Sequence, residues 1–409
     1  MPKLIFNFFF ALALIDLTAC SSISPHKYNA VQTGLENFIT NYADDYKNKK
    51  ALLITNHSGL DRFFEHNIFL LRQKEIIIKE LIAPEHGLYG YQNDYAKRKK
   101  FFDKNFNVLI YNAHQLNKKK FLSLISKNDF VIFDIQDLGI RCYTYISNLK
   151  NIIDFLNINK KELVILDRPN PLSLLGVNGS DLNPKYKSKF ISSFPAPLFY
   201  DLTIGEAALY YKNEFKPSTK LTVIPMKNYK SGMNYIKTEL PWVPPSPNLP
   251  TYQSTLFYAA TVLMEGINIS LGRGTPKPFE YLGAPWIKPF PFCQRLIELD
   301  LENFAFRPIY FKPTLGLYKD QLCGGAHLFY KGGKFNPIEI SYKITKFILK
   351  NYVQAKWRHS QKKYKIDFLS GSDLFRKHID QRKDLTAYQK KITAGIKNFR
   401  IKQKKYRLY

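Results

Sequence analysis

Acidic residues are scarce in this chain: 33 Asp and Glu stand against 61 Lys and Arg, a formal net charge of +28. Such an excess favours anionic partners, whether membrane head groups, nucleic acid or acidic cell-wall polymers. The basic runs Lys97–Lys100, Lys118–Lys120 and the acid-free stretch 390–407 come without an aromatic-and-basic recognition module, so no nucleic acid partner is expected. Cysteine is also scarce. Beyond Cys20 there are only Cys142, Cys293 and Cys323, whose spacing fits no zinc pattern and leaves at least one thiol unpaired; a Cys293–Cys323 disulfide stays open. No GxGxxG follows a strand, so a dinucleotide cofactor is unsupported, and the GRGT sequence at 272–275 has neither the spacing nor the lysine of a phosphate-binding Walker loop.

A long hydrophobic run is missing too. The apolar stretch Leu4–Ile15 after Lys3 is too short to span a bilayer and reads as an export signal. Leu17-Thr18-Ala19-Cys20 resembles a bacterial lipobox, which implies cleavage before Cys20 and lipid attachment to it, hence an exported, membrane-anchored lipoprotein at the periplasmic or outer face. The whole chain of 409 residues is 45% hydrophobic and 15% aromatic, enough for a substantial core in two domains.

What is present is a series of apolar runs that end abruptly in polar residues. ALLI leads into Thr55-Asn56-His57, LIA into Pro84-Glu85-His86-Gly87, VLI into Tyr111-Asn112, VIF into Asp134-Ile135-Gln136-Asp137, and LVIL into Asp167-Arg168-Pro169-Asn170. Near-continuous Val, Ile and Leu indicates strands buried on both faces, and so a mostly parallel sheet whose strand ends open into loops that carry the chemistry. Strands are expected near 51–55, 76–83, 107–111, 130–134 and 163–167, alternating with helices over Asn67–Gln73, Phe121–Lys127 and Tyr143–Leu156. The fold class is α/β: a Rossmann-like domain over 33–185, preceded by a linker at 20–32 and followed by a smaller α/β domain over 186–409 that completes a cleft. A helix over Thr203–Asn213 and a strand over Leu221–Met226 belong to that second half. So does the proline-rich loop Pro241–Pro250, whose fixed backbone suits a rigid rim.

A second chemical island lies at Glu265–Trp286. It gathers Glu265, Asn268, Arg273, Thr275 and Glu280 among four glycines, which allow close backbone approach to a ligand. An arginine between glycines can make a bidentate contact with a carboxylate.

Seven motifs in order, TNHSG (55–59), PEHG (84–87), FDIQDLGIRCYTY (133–145), LDRPNP (166–171), LTIGE (202–206), PWVPPSPNLPT (241–251) and EGINISLGRGTPKPFEYLGAPW (265–286), strongly resemble the exo-β-N-acetylmuramidase family. The resemblance covers nearly the whole mature chain. It implies an exported glycosidase that removes terminal β-1,4-linked N-acetylmuramic acid from non-reducing ends of peptidoglycan fragments, in cell-wall turnover or recycling. It also implies a Rossmann-like domain paired with a smaller α/β domain, a site between them, and no metal or cofactor. Three positions depart from the family: Asp201 where glycine is usual, Ile267 where threonine is usual, and Cys142 where an aromatic is usual.

Glycoside hydrolysis normally needs a carboxylic acid to protonate the departing oxygen and a second carboxylate as base or nucleophile. Glu85 is the candidate acid, because partial burial at a strand end would raise its pKa and keep it protonated. Asp137 is the first choice for the partner, with Asp134, Glu265 and Glu280 also in suitable loops; the 2-acetamido group of the substrate is a further alternative. The lactyl carboxylate of muramic acid requires a cation, for which Arg141, Arg168 and Arg273 are candidates, although Asp167 offers Arg168 a structural ion pair instead. Asn56, His57, His86, Gln136, Asn170 and Asn268 are candidates for sugar hydroxyls, and Tyr143 or Tyr145 for the pyranose face. Two other classes compete: an esterase or amidase using Ser58 or Ser246, neither in a GxSxG elbow, and a non-catalytic lipoprotein that binds wall fragments.

Overall fold

The computed structural model describes residues 30–92, 99–188, 190–361 and 363–409. The export segment and Cys20 lie outside the described residues, as does most of the expected linker. No helix among the described residues is long and apolar enough to cross a membrane.

The N-terminal half is built on a seven-stranded sheet: β1 (Ala51–Thr55), β2 (Glu80–Ala83), β3 (Lys100–Asp103), β4 (Val108–Asn112), β5 (Phe130–Asp134), β6 (Glu162–Leu166) and β7 (Leu221–Ile224). The spatial order is β3-β4-β2-β1-β5-β6-β7, with every pairing parallel except the edge pair β3–β4. Without the antiparallel edge strand, this is the strand order of a Rossmann sheet, with its switch point between β1 and β5. Strands β1 and β5 are buried at every residue, as their unbroken apolar sequences require. Helices Asn67–Gln73, Lys118–Ser126 and Thr144–Asn159 stand within a few residues of their expected positions.

Two expectations change. The run 76–83 forms a strand only over Glu80–Ala83, with a single bridge from Ile77 to Lys50 before it. The sheet also continues past residue 185: β7 pairs in parallel with β6, Leu163 opposite Leu221, so helix Ile204–Phe215 is the crossover that returns the chain to the sheet. The boundary placed at 185 therefore falls inside the first domain. That crossover starts with a capping box, Thr203 with Glu206. Just before it, Asp201 holds φ 47°, the left-handed backbone that favours the family's usual glycine, and its carboxylate binds Arg407 at 2.7 Å.

The C-terminal half carries an antiparallel sheet, β8 (Tyr281–Ala284), β9 (Phe304–Phe311) and β10 (Cys323–Tyr330), in the order β8-β10-β9. It packs with helices Tyr252–Thr261, Pro289–Ile297 and Pro337–Asn351, and one buried apolar cluster runs from the first sheet into this region. The last helix is Leu385–Gln403. Cys142, Cys293 and Cys323 are all buried and free, so the open Cys293–Cys323 pairing is not made.

Candidate active site

The parallel strands end side by side, so the residues after β1, β2, β4, β5 and β6 gather along one edge of the sheet. The segment after β2 makes a tight turn in which the Gly87 N–H donates to the Pro84 carbonyl at 3.0 Å. His86 sits at the third position of that turn with φ 72°, a conformation a non-glycine residue adopts only where its surroundings hold it. Its Nδ1 lies 2.7 Å from the Gln92 carbonyl. This turn leaves Glu85 half-buried rather than enclosed.

The first turn of the helix after β5 fixes the Glu85 side chain. The Thr144 hydroxyl donates to Glu85 Oε2 at 2.6 Å, and the neighbouring Tyr145 hydroxyl lies 2.7 Å from the Pro245 carbonyl and 3.3 Å from the Glu85 carbonyl. Asn56 Nδ2 donates to that Tyr145 hydroxyl at 3.0 Å. His57 Nε2 donates to the Pro244 carbonyl at 2.6 Å, while its ring lies against Gly90, where a Cβ would come within 2.2 Å of the imidazole. Burial lowers the His57 pKa, so the neutral ring is favoured. The proline-rich loop is thus bound to the strand ends at Pro244 and Pro245, which makes it the rim expected of it.

Tyr143, His114 and Arg273 lie close enough to Glu85 to feel its charge. The Tyr143 hydroxyl is buried and has no hydrogen-bond partner among the described residues. Arg273 is held by the Glu265 carboxylate, with Nε at 3.1 Å and Nη2 at 2.6 Å from Oε1, and Lys365 binds the other oxygen at 2.6 Å. Burial would raise the Glu265 pKa, but Arg273 and Lys365 outweigh it and hold the carboxyl at about 2. Arg273 keeps 34% of its side chain exposed, and its Nη1 donates to nothing among the described residues.

Several candidates serve the scaffold instead. Arg141 is wholly buried and donates to the carbonyls of Ser180, Ala196 and Ser370. Arg168 is paired with Asp134, not Asp167: its Nε is 2.5 Å from Oδ1 and its Nη2 3.1 Å from Oδ2, and Asn67 also donates to Asp134 at 2.7 Å. Both ions are buried, so this pair locks the sheet edge rather than meeting a ligand. Asp167 accepts from Thr203, Gly205 and Tyr409. Gln136 donates to the Asp137 and Pro169 carbonyls, and Asn170 to the Leu202 carbonyl. Asn268 binds the backbone of Gln354 and Lys356, Thr275 closes a turn on Gly272, and Glu280 is buried with Lys277 at 3.2 Å and His327 at 3.4 Å. Ser58 is buried between Asn56 and the Gln136 N–H, an accepting and donating hydroxyl with no histidine on it.

Asp137 does not suit the role of second catalytic carboxylate. It is buried, it accepts from the Tyr200 hydroxyl and from the Gly139 N–H at 2.9 Å, and it feels the Ile146 N–H at the start of the helix that carries Thr144 and Tyr145. The participants that sequence reasoning missed are Thr144, His114, Lys365 and Tyr200; the first two follow apolar runs within a few residues, while the last two come together only through the fold.

Two predictions follow from this geometry. Thr144→Val keeps the shape but removes the 2.6 Å bond to Glu85; a hydrogen bond to a neutral carboxyl is worth about 0.5–1.5 kcal/mol, so kcat is expected to fall about threefold to tenfold with KM near its original value. Steady-state kinetics checks this, and an unchanged kcat removes Thr144 from the positioning role. Separately, burial lifts Asp137 from its ordinary 3.8 to about 6 and Asp167 from 3.8 to about 7. Acids raised on folding contribute stability that is complete below 3.8 and is lost as pH rises through the folded values. Denaturant unfolding should therefore show this component of stability declining between about pH 4 and pH 7, and Asp137→Asn should flatten the lower part of that decline. An unaltered slope contradicts the assignment.

The family models for the exo-β-N-acetylmuramidase NamZ match both halves, the N-terminal one over residues 51–253 and the C-terminal one over 256–409. The chain belongs to the exo-β-N-acetylmuramidase family. Among its relatives is the peptidoglycan β-N-acetylmuramidase NamZ of Bacillus subtilis, 33% identical over 417 aligned positions that span 100% of both chains. Two crystal structures of DUF1343 family proteins from Bacteroides fragilis share the fold, with TM-scores of 0.82 and 0.70 at 28% and 27% identity; each comparison covers 93% of this chain and 99% of the other. The family's division near residue 254 agrees with a first domain that includes β7.

Proposed function

We propose that this glycoside hydrolase releases terminal N-acetylmuramic acid from non-reducing ends of peptidoglycan glycan fragments, with Glu85 as proton donor and Arg273 as the cation for the lactyl carboxylate. The observation that carries this is the pairing of a half-buried carboxyl, locked by Thr144, with a partly exposed arginine within electrostatic reach of it. Arg141 and Arg168 are buried and held by carbonyls and by Asp134, whereas Arg273 keeps 34% of its side chain exposed.

Asp134, Asp137, Glu265 and Glu280 are each bound to cations, hydroxyls or backbone donors, which favours the substrate's own 2-acetamido group as nucleophile. In that route the Glu85 proton passes to the glycosidic oxygen as the C1–O bond breaks, and the amide oxygen bonds to C1. Water then opens the cyclic intermediate at C1 and returns its proton to Glu85. A substrate with a trifluoroacetamido group, a poorer nucleophile, should react far more slowly; equal rates would point to an enzyme carboxylate.

The overall reading is tested by digesting purified glycan strands and following products by mass spectrometry. Free N-acetylmuramic acid, one residue at a time, is the expected product, and internal fragments would refute exo action. Export with lipid attachment at Cys20 is proposed on the Leu17–Cys20 pattern alone; Cys20→Ala should move the protein from the membrane to the soluble fraction, and continued sedimentation with membranes would overturn the anchor.

A further inference from the structure

A pocket of about 700 Å³ in the C-terminal half has no part in the site just described. Lys350, Lys356 and Arg382 line it, together with Trp357 and Tyr364. None of the three cations has an ion-pair partner among the described residues, and all are exposed. The one acid in the lining, Asp380, is already engaged, accepting from Trp357 Nε1 at 2.7 Å and from Arg376 at 3.5 Å. Arg382 holds φ 56°, an unusual backbone for a residue with a side chain, next to a carbonyl that binds Lys346 at 3.2 Å. A concave surface with unneutralised cations beside aromatic side chains suits an anion that also offers an apolar or ring face.

The same segment touches the active-site island from behind. The Lys356 N–H donates to Asn268 at 2.6 Å, the Arg358 N–H to the Gly266 carbonyl at 2.7 Å, and Arg358 Nη1 to the Glu265 carbonyl at 3.2 Å. The segment that lines the pocket is thus bonded to the one that carries Glu265 and, through it, holds Arg273.

We infer that this pocket is an accessory glycan-binding site, which takes a stretch of N-acetylated glycan through its repeated lactyl carboxylates, away from the reacting end. Lys350, Lys356 and Arg382 would meet the carboxylates and Trp357 a sugar ring, since the Tyr364 ring is covered by Arg376 at 3.9 Å. The inference rests on the muramidase reading of the main site, since that reading supplies a polymer with a carboxylate on alternate sugars. A strand held at the pocket stays at high local concentration while its end is trimmed.

The test uses the full-length protein and a triple variant, K350E/K356E/R382E, with long glycan strands and a short chromogenic muraminide as parallel substrates. Loss of three exposed carboxylate contacts predicts a KM for strands about tenfold higher and equal kinetics on the chromogenic substrate. On strands whose carboxylates are reduced to alcohols, wild type and variant should bind equally, since the difference between them lies in the carboxylate contacts of the pocket. Trp357→Phe, a milder change, should weaken strand binding with the same selectivity. Equal loss on both substrates, equal KM on strands, or variant-sensitive binding only to anionic lipid vesicles would overturn the accessory site. If the wild type hydrolyses the chromogenic muraminide while strands show no variant effect, only this inference fails; if the wild type hydrolyses neither, the main reading fails with it.

Discussion

Glu85→Gln is expected to lower turnover by about 10² or more while leaving binding of N-acetylmuramic acid within about twofold of wild type. The amide has the size of the carboxyl and can still accept from Thr144, so the turn Pro84–Gly87 and the bond at 2.6 Å survive in outline. What is lost is the proton that must reach the glycosidic oxygen as the bond to C1 breaks. Adding a substrate with a good leaving group separates the chemistry further: a dinitrophenyl aglycone needs little protonation, so the variant should recover much of its first-step rate on it. Isothermal titration with N-acetylmuramic acid checks the binding half of the prediction. Retained turnover on natural glycan would reassign the acid, and lost binding would make Glu85 a structural residue of the turn.

The second large effect concerns selectivity. Arg273→Gln alone would leave the buried Glu265 carboxylate with Lys365 only, so the informative variant is the double change R273Q/E265Q, which removes the ion pair and leaves without a partner only Lys365, whose side chain is partly exposed. A hydrogen bond to a charged group is worth about 1.5–3 kcal/mol, so kcat/KM for muramyl substrates should fall on the order of 10- to 100-fold. Glucosaminyl substrates, which carry no lactyl group, should change little, and the preference between the two should collapse. E265Q by itself serves as the control, since it keeps Arg273 but frees its Nε and Nη2. Equal losses on both sugars would show that Arg273 supports the fold of the island rather than reading the carboxylate.

The buried half of the fold was legible in the sequence because its strands are apolar on both faces. ALLI, VLI, VIF and LVIL became β1, β4, β5 and β6, and the polar residues that follow them do meet at one sheet edge. The edge strand β3, Lys100–Asp103, escaped because a lysine run precedes it and its side chains are mostly exposed, so no continuous apolar signal exists. β7 was found as a strand but assigned to the wrong domain, since pairing with β6 across the 54 residues between them is a tertiary fact that no local pattern encodes.

The site was legible in its types more than in its roles. Several acids stand at the ends of buried strands, and Glu85 differs from Asp134, Asp137 and Asp167 in being half-buried where they are enclosed. Arg141, Arg168 and Arg273 looked equivalent along the chain, and burial separates them: the first two are enclosed with carbonyls and an aspartate, while the third, held by Glu265, keeps 34% of its side chain exposed. Asp137 carried the right chemistry at the right strand end, but its side chain turns inward to Tyr200 and Gly139. Sequence spacing specifies which residues reach an edge, while burial decides which of them face solvent.

The central claim is that this site distinguishes muramic acid from glucosamine at a terminal β-linkage and cleaves it with Glu85. Incubating the purified protein with a β-linked muramyl chromogenic substrate and with its glucosaminyl counterpart, under identical conditions, tests this most directly. Release from the muramyl substrate alone is the expected result. Release from neither, or equal release from both, would contradict it.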